Sequence, residues 1–127
     1  MMEHLYIAKV RNIHTGTCYV KLGYSSNVIQ RMKQLITHNI HFEYSEFQLF
    51  EHESKLIGYI HDERRVHNLF SRFRAGIRKN VMPDGNTECY DSLYRHDITT
   101  QLEKIGYHCI YDEAVEVMNP VNMFIWQ

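Results

Sequence analysis

The chain has 127 residues, of which 44% are hydrophobic, and a formal net charge of −1 at pH 7. This length and composition predict one domain with a sizeable core and little disorder. No run approaches the ~20 apolar residues of a membrane span, and the N-terminus lacks a signal-peptide pattern. Three widely spaced cysteines indicate reduced thiols and give no zinc pattern. We therefore expect a single domain over 1–127 that is cytosolic, not secreted and not in a membrane.

The first predicted elements form a β-hairpin. The alternation from Leu5 to Val10 is typical of a half-buried strand, and the residues at 14–17 have turn chemistry. Residues 18–24 alternate again and carry aromatic and β-branched side chains, which predicts a second strand. Gly23 is expected to end that strand and to allow close backbone approach.

A helix is predicted to follow the hairpin directly. Ser25, Ser26 and Asn27 are all favourable N-caps for it. Arg31 lies beside the buried face of this helix, where its side chain can lean back toward the strand ends. The expected buried positions are Val28, Ile29, Met32, Leu35 and Ile36.

The central part of the chain predicts a third strand at 47–50 and a long helix at 59–75. The core-facing stripe of that helix is expected at Val66, Leu69, Phe70 and Phe73. Glu63 lies at the edge of the stripe, where an unpaired carboxylate is costly. Either the stripe ends before Glu63, or Glu63 pairs with Arg31 or another cation.

The C-terminal part predicts a turn-rich loop at 82–86 and then a helix capped by Asp91 or Ser92, which stops at Gly106. Its apolar side holds Leu93, Ile98, Leu102 and Ile105. A strand is predicted at 107–111. The closing segment is expected to form an extra element or to bury against another copy in a homodimer. Its apolar residues are Val115, Val117, Met118, Val121, Met123, Phe124, Ile125 and Trp126.

Several short motifs follow one another along the chain, and their order and spacing are informative when they are taken together. They are His4-Leu5-Tyr6, Lys21-Leu22-Gly23, Arg31 eight residues after Gly23, a Glu63-x-x-x-His67 stretch, and Thr87-Glu88-Cys89-Tyr90. In this order they resemble the GIY-YIG nuclease superfamily and, more narrowly, its T5orf172 or meiotically-up-regulated-113-like branch. The first two motifs stand at the Gly-Ile-Tyr and Tyr-Ile-Gly strands, and the last stands at the Glu-Trp-Phe segment that closes the domain in this branch.

The resemblance covers about residues 4–91 and implies an α+β, GIY-YIG-like fold. A small three-stranded antiparallel sheet, made of the hairpin and the third strand, would be flanked by helices. Residues 92–127 would then form a C-terminal helix–strand extension of the same domain.

The activity that the resemblance implies is metal-dependent hydrolysis of a phosphodiester. Glu63 would hold Mg²⁺ or Mn²⁺, Arg31 would clamp a phosphate oxygen, and Tyr6 would hold or deprotonate the attacking water. Lys21 replaces the tyrosine of the second motif. With its pKa lowered by desolvation beside Arg31 it could act as a base, whereas a charged lysine could only bind phosphate. His67 would orient neighbouring groups or carry a proton, or would be a buried packing residue.

A basic stretch without acids offers candidate contacts to nucleic acid. Its members are Arg64, Arg65, Arg72, Arg74, Arg78 and Lys79. The overall charge does not favour nucleic-acid binding, so the stretch is either a phosphate-contacting edge or a solvated helix face. Tyr19 projects to the same strand face as Lys21 and could assist binding. Glu88 would contact substrate or have a loop or capping role.

Two hypotheses of different classes follow. One is a small metal-dependent endonuclease of phage, viral or mobile-element type, acting on DNA and most simply on double-stranded DNA. The other is an inactive descendant that binds nucleic acid, a nucleotide or a host protein in the same cleft. The first predicts that four motif side chains meet in one open cleft, namely Tyr6, Lys21, Arg31 and Glu63. The second predicts that Glu63 is locked in a buried ion pair.

Overall fold

The computed structural model describes residues 2–118 and has an α+β fold with one five-stranded antiparallel sheet. The strands are β1 (His4–Asn12), β2 (Cys18–Ser25), β3 (Phe42–His52), β4 (Cys89–Asp91) and β5 (Tyr107–Asp112), in the order β4-β2-β1-β3-β5. The helices are α1 (Val28–His38), α2 (Tyr59–Leu69), α3 (Arg95–Lys104) and α4 (Glu113–Met118), with 3-10 helices at Ser71–Phe73 and Ser92–Tyr94. The α+β class is confirmed. The prediction of three strands was wrong, because β4 and β5 extend the sheet at its two edges.

The predicted hairpin is confirmed, with one correction at Gly23. β1 pairs with β2 from His4 opposite Ser25 to Arg11 opposite Cys18. Gly23 does not end β2, which continues to Ser25. The space that this glycine leaves is occupied by a side chain, the phenol of Tyr6, and not by an approaching backbone.

The central strand β1 is buried on both faces, so the prediction of a half-buried strand was wrong. Leu5 and Ile7 join a cluster with α2 and α3. Tyr6, Ala8 and Val10 point the other way, into a cluster with α1. β1 lies in the middle of a sheet that carries helices on both sides. Its side chains therefore alternate between two buried clusters and not between a core and solvent.

Helix α1 begins where it was predicted, because the Asn27 side chain accepts a hydrogen bond from the backbone N–H of Gln30. Its buried face is narrower than predicted. Val28 is buried, but Ile29 and Ile36 are 58% and 54% exposed. Each isoleucine follows a buried residue by one position, which rotates it about 100° around the helix and away from the sheet.

Helix α2 ends at Leu69, before the predicted 75, and its inward face differs from the predicted stripe. Leu69 and Phe73 are 63% and 43% exposed. The buried positions of α2 are Tyr59, Asp62, Glu63, Val66 and His67. Two carboxylates and an imidazole therefore occupy an inward face that a hydrophobic pattern cannot reveal.

The C-terminal elements complete the same sheet and core. Ile98 and Leu102 of α3 are fully buried, whereas Leu93, predicted on the same side, is 85% exposed because it belongs to the preceding 3-10 helix. The helix ends at Lys104, and Gly106, with a φ of 103°, follows the C-cap Ile105. β5 pairs with β3, which itself is longer than the predicted 47–50.

The described part of the chain ends at residue 118, so most of the closing apolar segment lies outside it, and the predicted dimer contact falls there. Among residues 2–118 no helix is both long and apolar enough to cross a membrane.

Candidate active site

The candidate site lies at the edge of the sheet where β4 stops pairing with β2. After three paired positions, the N–H of Leu22 donates to the backbone oxygen of Glu88 over 3.2 Å. The backbone oxygen of Leu22 accepts from His67 Nε2 over 3.0 Å. Side chains of α2 and of the segment before β4 therefore meet at this edge. They surround a pocket of about 360 Å³ lined by Ile60, Glu63, Arg64, His67, Asn68, Arg74, Thr87 and Glu88.

Glu63 is a buried acid that opens onto this pocket. It is 7% exposed, and its carboxylate makes no hydrogen bond to any described residue. The nearest ionisable partner is His67, whose Nε2 lies 4.0 Å from Glu63 Oε2. Burial, with the charge of Glu88 added, raises the pKa of Glu63 to about 7. Both earlier interpretations were therefore wrong, because the buried face includes Glu63 and no arginine or lysine within residues 2–118 pairs with it.

His67 is a buried imidazole with a protein partner at each ring nitrogen. Its Nε2 donates to the carbonyl of Leu22 over 3.0 Å, and its Nδ1 makes a hydrogen bond of 2.7 Å with the hydroxyl of Tyr90. Burial lowers the pKa of His67, which favours the neutral imidazole. Because protein groups occupy both nitrogens, the geometry agrees with a buried structural histidine.

Lys21 is a buried cation and not a neutral base. The residue is 2% exposed, and its Nζ lies 3.2 Å from Glu88 Oε1 and 5.9 Å from the centre of the Tyr6 ring. Burial by itself lowers the pKa of Lys21, but Tyr6 and Glu88 raise it more, so that it lies above its ordinary value. The expectation of a lowered pKa was wrong. The hydroxyl of Tyr44 near this ammonium is buried without a hydrogen-bond partner among the described residues.

Tyr6 is covered as well. It is 2% exposed, and burial raises the pKa of its hydroxyl. A tyrosine with a raised pKa is poorly suited to deprotonate water. Lys21 lies beside the phenol and lowers its pKa, but this effect is smaller than the effect of burial.

Arg31 lies in a neighbouring and smaller pocket. This cavity, of about 60 Å³, is lined by Arg31, Gln34, Leu35, His38, Asn39, Pro83 and Asp84. The Arg31 charge reaches Tyr6, whose pKa it lowers. The four motif side chains therefore do not share one open cleft. Glu63 opens onto the larger pocket, Arg31 onto the smaller one, and Tyr6 and Lys21 are buried.

The predicted nucleic-acid contacts divide into separate places. Arg64 and Arg74 are exposed and line the larger pocket with Glu63. Arg65 pairs with Asp62 over 3.5 Å. Tyr19 lies edge-on to Phe42 and lines a different pocket, with Lys9, Cys18, Val20, Glu46, Ser92 and Arg95. The remaining members of the basic stretch, which are Arg72, Arg78 and Lys79, are exposed.

The donor set suits a small divalent cation. One ligand atom from each of Glu63, His67 and Glu88 lies within 4.8 Å of the others. Since the nitrogens of His67 are already occupied, the two carboxylates are the available donors. Oxygen ligands beside an open pocket, with positions left for water, fit Mg²⁺ or Mn²⁺. The sequence resemblance had located Glu88 without revealing that it faces both Lys21 and Glu63.

The comparisons with known proteins agree with this fold. No curated protein and no solved structure matches the chain. The profile of the T5orf172 domain matches residues 3–107, which is most of the chain and extends past residue 91, where the motif resemblance ends. That family is associated with a GIY-YIG-like nuclease fold. The chain belongs to the T5orf172 domain family.

Proposed function

We propose that this protein is a small endonuclease that hydrolyses phosphodiester bonds of DNA with the help of a divalent metal ion. Membership of a family with a GIY-YIG-like nuclease fold supports the reaction class. The observation that carries the proposal is the Glu63 carboxylate, which is 7% exposed, opens onto the pocket and has no hydrogen-bond partner among residues 2–118. A buried carboxylate in that state is a costly arrangement unless a cation completes it.

Glu63 would hold Mg²⁺ or Mn²⁺. The bound ion would supply positive charge that stabilises the attacked phosphate and the leaving oxygen. Because the pKa of Glu63 is about 7 without a cation, part of the population must lose a proton when the ligand forms. Metal affinity is therefore expected to rise with pH near neutrality.

The other motif residues would bind and orient the substrate. Lys21 stays charged and would neutralise a phosphate oxygen, which is the role left to it once it cannot act as a base. Arg31 would bind a phosphate from the neighbouring pocket with its planar guanidinium. Tyr6, whose pKa is raised, would orient the attacking water as a neutral hydroxyl. His67 would fix α2 against β2 and so hold Glu63 in place.

Arg64 and Arg74 would contact the DNA backbone beside the pocket. Both are exposed and line it, so they can meet phosphates without rearrangement. A local concentration of positive charge can bind nucleic acid even though the whole chain carries a formal charge of −1. Double-stranded DNA is the substrate that we propose.

A second candidate is a protein that uses this pocket only to bind nucleic acid, a nucleotide or a host protein. Two observations favour it. Tyr6 and Lys21 are each 2% exposed, and Arg31 opens onto a different cavity from Glu63. A catalytic complex would therefore need some rearrangement of these side chains.

The deciding experiment is nicking of supercoiled plasmid with Mg²⁺ or Mn²⁺ by wild type, Glu63→Gln and Glu103→Gln. Glu103 is an exposed glutamate on α3 and serves as the matched control. Nicking that is lost in E63Q and kept in E103Q supports the nuclease. If pure wild type cleaves neither DNA nor RNA with either metal, the binding function replaces it.

A further inference from the structure

Glu88 faces two environments at once. Its side chain is 32% exposed, and its Oε1 lies 3.2 Å from Nζ of Lys21, whose side chain is only 3% exposed. The same carboxylate lines the larger pocket with Glu63. One acid therefore connects a buried cation to the place where the metal would bind.

Two carboxylates, those of Glu88 and Glu63, lie close together, and one buried ammonium, that of Lys21, pairs with Glu88. Glu88 is the only carboxylate that pairs with Lys21 in the described part of the chain, and a buried ammonium requires such a partner. Glu63, whose carboxylate lies close to that of Glu88, has no cation of its own. Two carboxylates this close repel each other unless a positive charge lies between them.

His67 cannot easily supply the second protein ligand. To do so it would have to give up its hydrogen bond to Leu22 or to Tyr90, of 3.0 Å and 2.7 Å. Glu88 has one such contact, from Oε1 to Lys21 Nζ at 3.2 Å, and its side chain is one-third exposed. Carboxylate oxygens are also the donors that a hard cation prefers, which makes Glu88 the better second ligand.

We propose that Glu88 is an exchangeable second metal ligand. When the divalent cation binds, Glu88 moves from the buried Lys21 ammonium to the cation. Lys21 is then free to bind the anionic phosphate of the substrate. This inference rests on the proposed function, since the cation is the one that Glu63 would hold. It explains how a lysine that is covered in the free protein can act on substrate.

The exchange couples cation and phosphate. Once Glu88 turns away, Lys21 is a buried charge without a partner, and an anionic phosphate oxygen is the natural replacement. Each ligand therefore strengthens the binding of the other. Gly85 keeps the space that the bridge occupies, since a Cβ atom there would lie 3.0 Å from Glu88 Oε1 and would also collide with Lys21 Nζ.

The test measures Mn²⁺ affinity of the full chain by titration calorimetry, with wild type, Glu63→Gln, Lys21→Met, Glu88→Gln and the Lys21→Met/Glu88→Gln double variant. K21M should bind Mn²⁺ more tightly than wild type, because Glu88 no longer has to leave a buried cation. In the K21M background, E88Q should weaken binding by about tenfold or more. This comparison is free of the unpaired lysine that E88Q alone would create.

Infrared difference spectra supply a direct readout of ligation. Addition of Mn²⁺ should shift the carboxylate bands of two side chains in K21M and of one side chain in K21M/E88Q. Circular dichroism of each variant verifies folding, and the exposed control E103Q should match wild type in both measurements.

The possible failures are distinguishable. If K21M/E88Q binds Mn²⁺ as tightly as K21M and loses no carboxylate shift, then Glu88 is only the partner of Lys21 and this inference is overturned, while the Glu63 site remains. If E63Q binds Mn²⁺ as well as wild type does, or wild type does not bind Mn²⁺, then the metal site fails and the inference fails with it.

Discussion

Tyr6 and Gly23 are partners across the β1–β2 hairpin, and the phenol ring of Tyr6 covers the position where Gly23 lacks a side chain. A Cβ atom at residue 23 would lie 2.6 Å from Tyr6 Cε1, closer than real Cβ contacts. The tyrosine of the first motif therefore requires a glycine in the second motif. It makes room for a buried ring beside Lys21.

Gly23→Ala is therefore expected to destabilise the protein by overpacking, by about 2 kcal/mol in the free energy of unfolding. Urea unfolding measures this change in the free energy of unfolding. The matched test is Gly23→Ala in a Tyr6→Leu background, where the smaller side chain leaves room and the added cost should be clearly smaller. Equal costs in both backgrounds would show that the ring is not the obstacle.

The pH dependence of stability should carry the signature of Glu63. Its pKa in the folded protein is about 7 against an ordinary value of 4.5, so the folded state holds this proton more tightly than the unfolded chain does. Its contribution is fully present below the ordinary pKa and is lost as the pH rises through the folded value. With a chelator present to remove divalent ions, the free energy of unfolding of wild type should fall relative to that of E63Q as the pH rises from 4.5 to about 7. Parallel curves for the two proteins would contradict the raised pKa.

The buried pair of Asp62 and Tyr107 should stabilise α2 against β5. The Tyr107 hydroxyl donates to Asp62 Oδ2 over 2.7 Å. Burial raises the pKa of Asp62, but hydrogen bonds from Lys55 and Tyr107 outweigh it, so the pKa lies below its ordinary value. This contribution is present above the ordinary pKa and is lost as the pH falls through the lowered one.

Tyr107→Phe should therefore cost about 1–2 kcal/mol at neutral pH and should reduce the loss of stability in acid. Chemical unfolding at neutral and acidic pH measures both effects. Tyr111→Phe is the control, since within residues 2–118 the Tyr111 hydroxyl makes no hydrogen bond. A Y107F variant as stable as Y111F would refute the role of the pair.

Arg31 should matter for cleavage if it binds a phosphate. Arg31→Ala is expected to lower the nicking rate by about 100-fold, and Arg31→Lys should recover part of it, because lysine keeps the charge but not the planar fork. Lys33→Ala, an exposed position on the same helix, is the control. If R31A and K33A cleave equally fast, Arg31 has no part in the reaction.

Arg64 and Arg74 should set the salt dependence of DNA binding. Removing both in an Arg64→Ala/Arg74→Ala variant should lower the slope of log affinity against log salt by about 2, since each lost phosphate contact removes about 1. Fluorescence anisotropy with duplex DNA at several salt concentrations measures the slope. Lys104→Ala at the end of α3 should leave it unchanged, and an unchanged slope in the double variant would place DNA elsewhere.

Local sequence determined the features that depend on neighbours along the chain. The hairpin turn, the Asn27 cap and the end of α3 just before Gly106 were all predictable, because capping and turn formation involve residues a few positions apart. The motif spacing also indicated the family, which the profile match over residues 3–107 establishes. These inferences needed no knowledge of distant contacts.

Tertiary structure alone decided the features that depend on residues far apart in sequence. The three-residue strand β4 exists because it pairs with β2. The pKa of Lys21 rises and does not fall, because Tyr6 lies beside it and Glu88 reaches it from 67 positions away. Glu63 and His67 lie on the inward face of α2 because Leu22 and Tyr90 receive the imidazole there. The Lys21 ammonium and the His67 ring can be buried because distant partners compensate their loss of water, and local sequence does not name those partners.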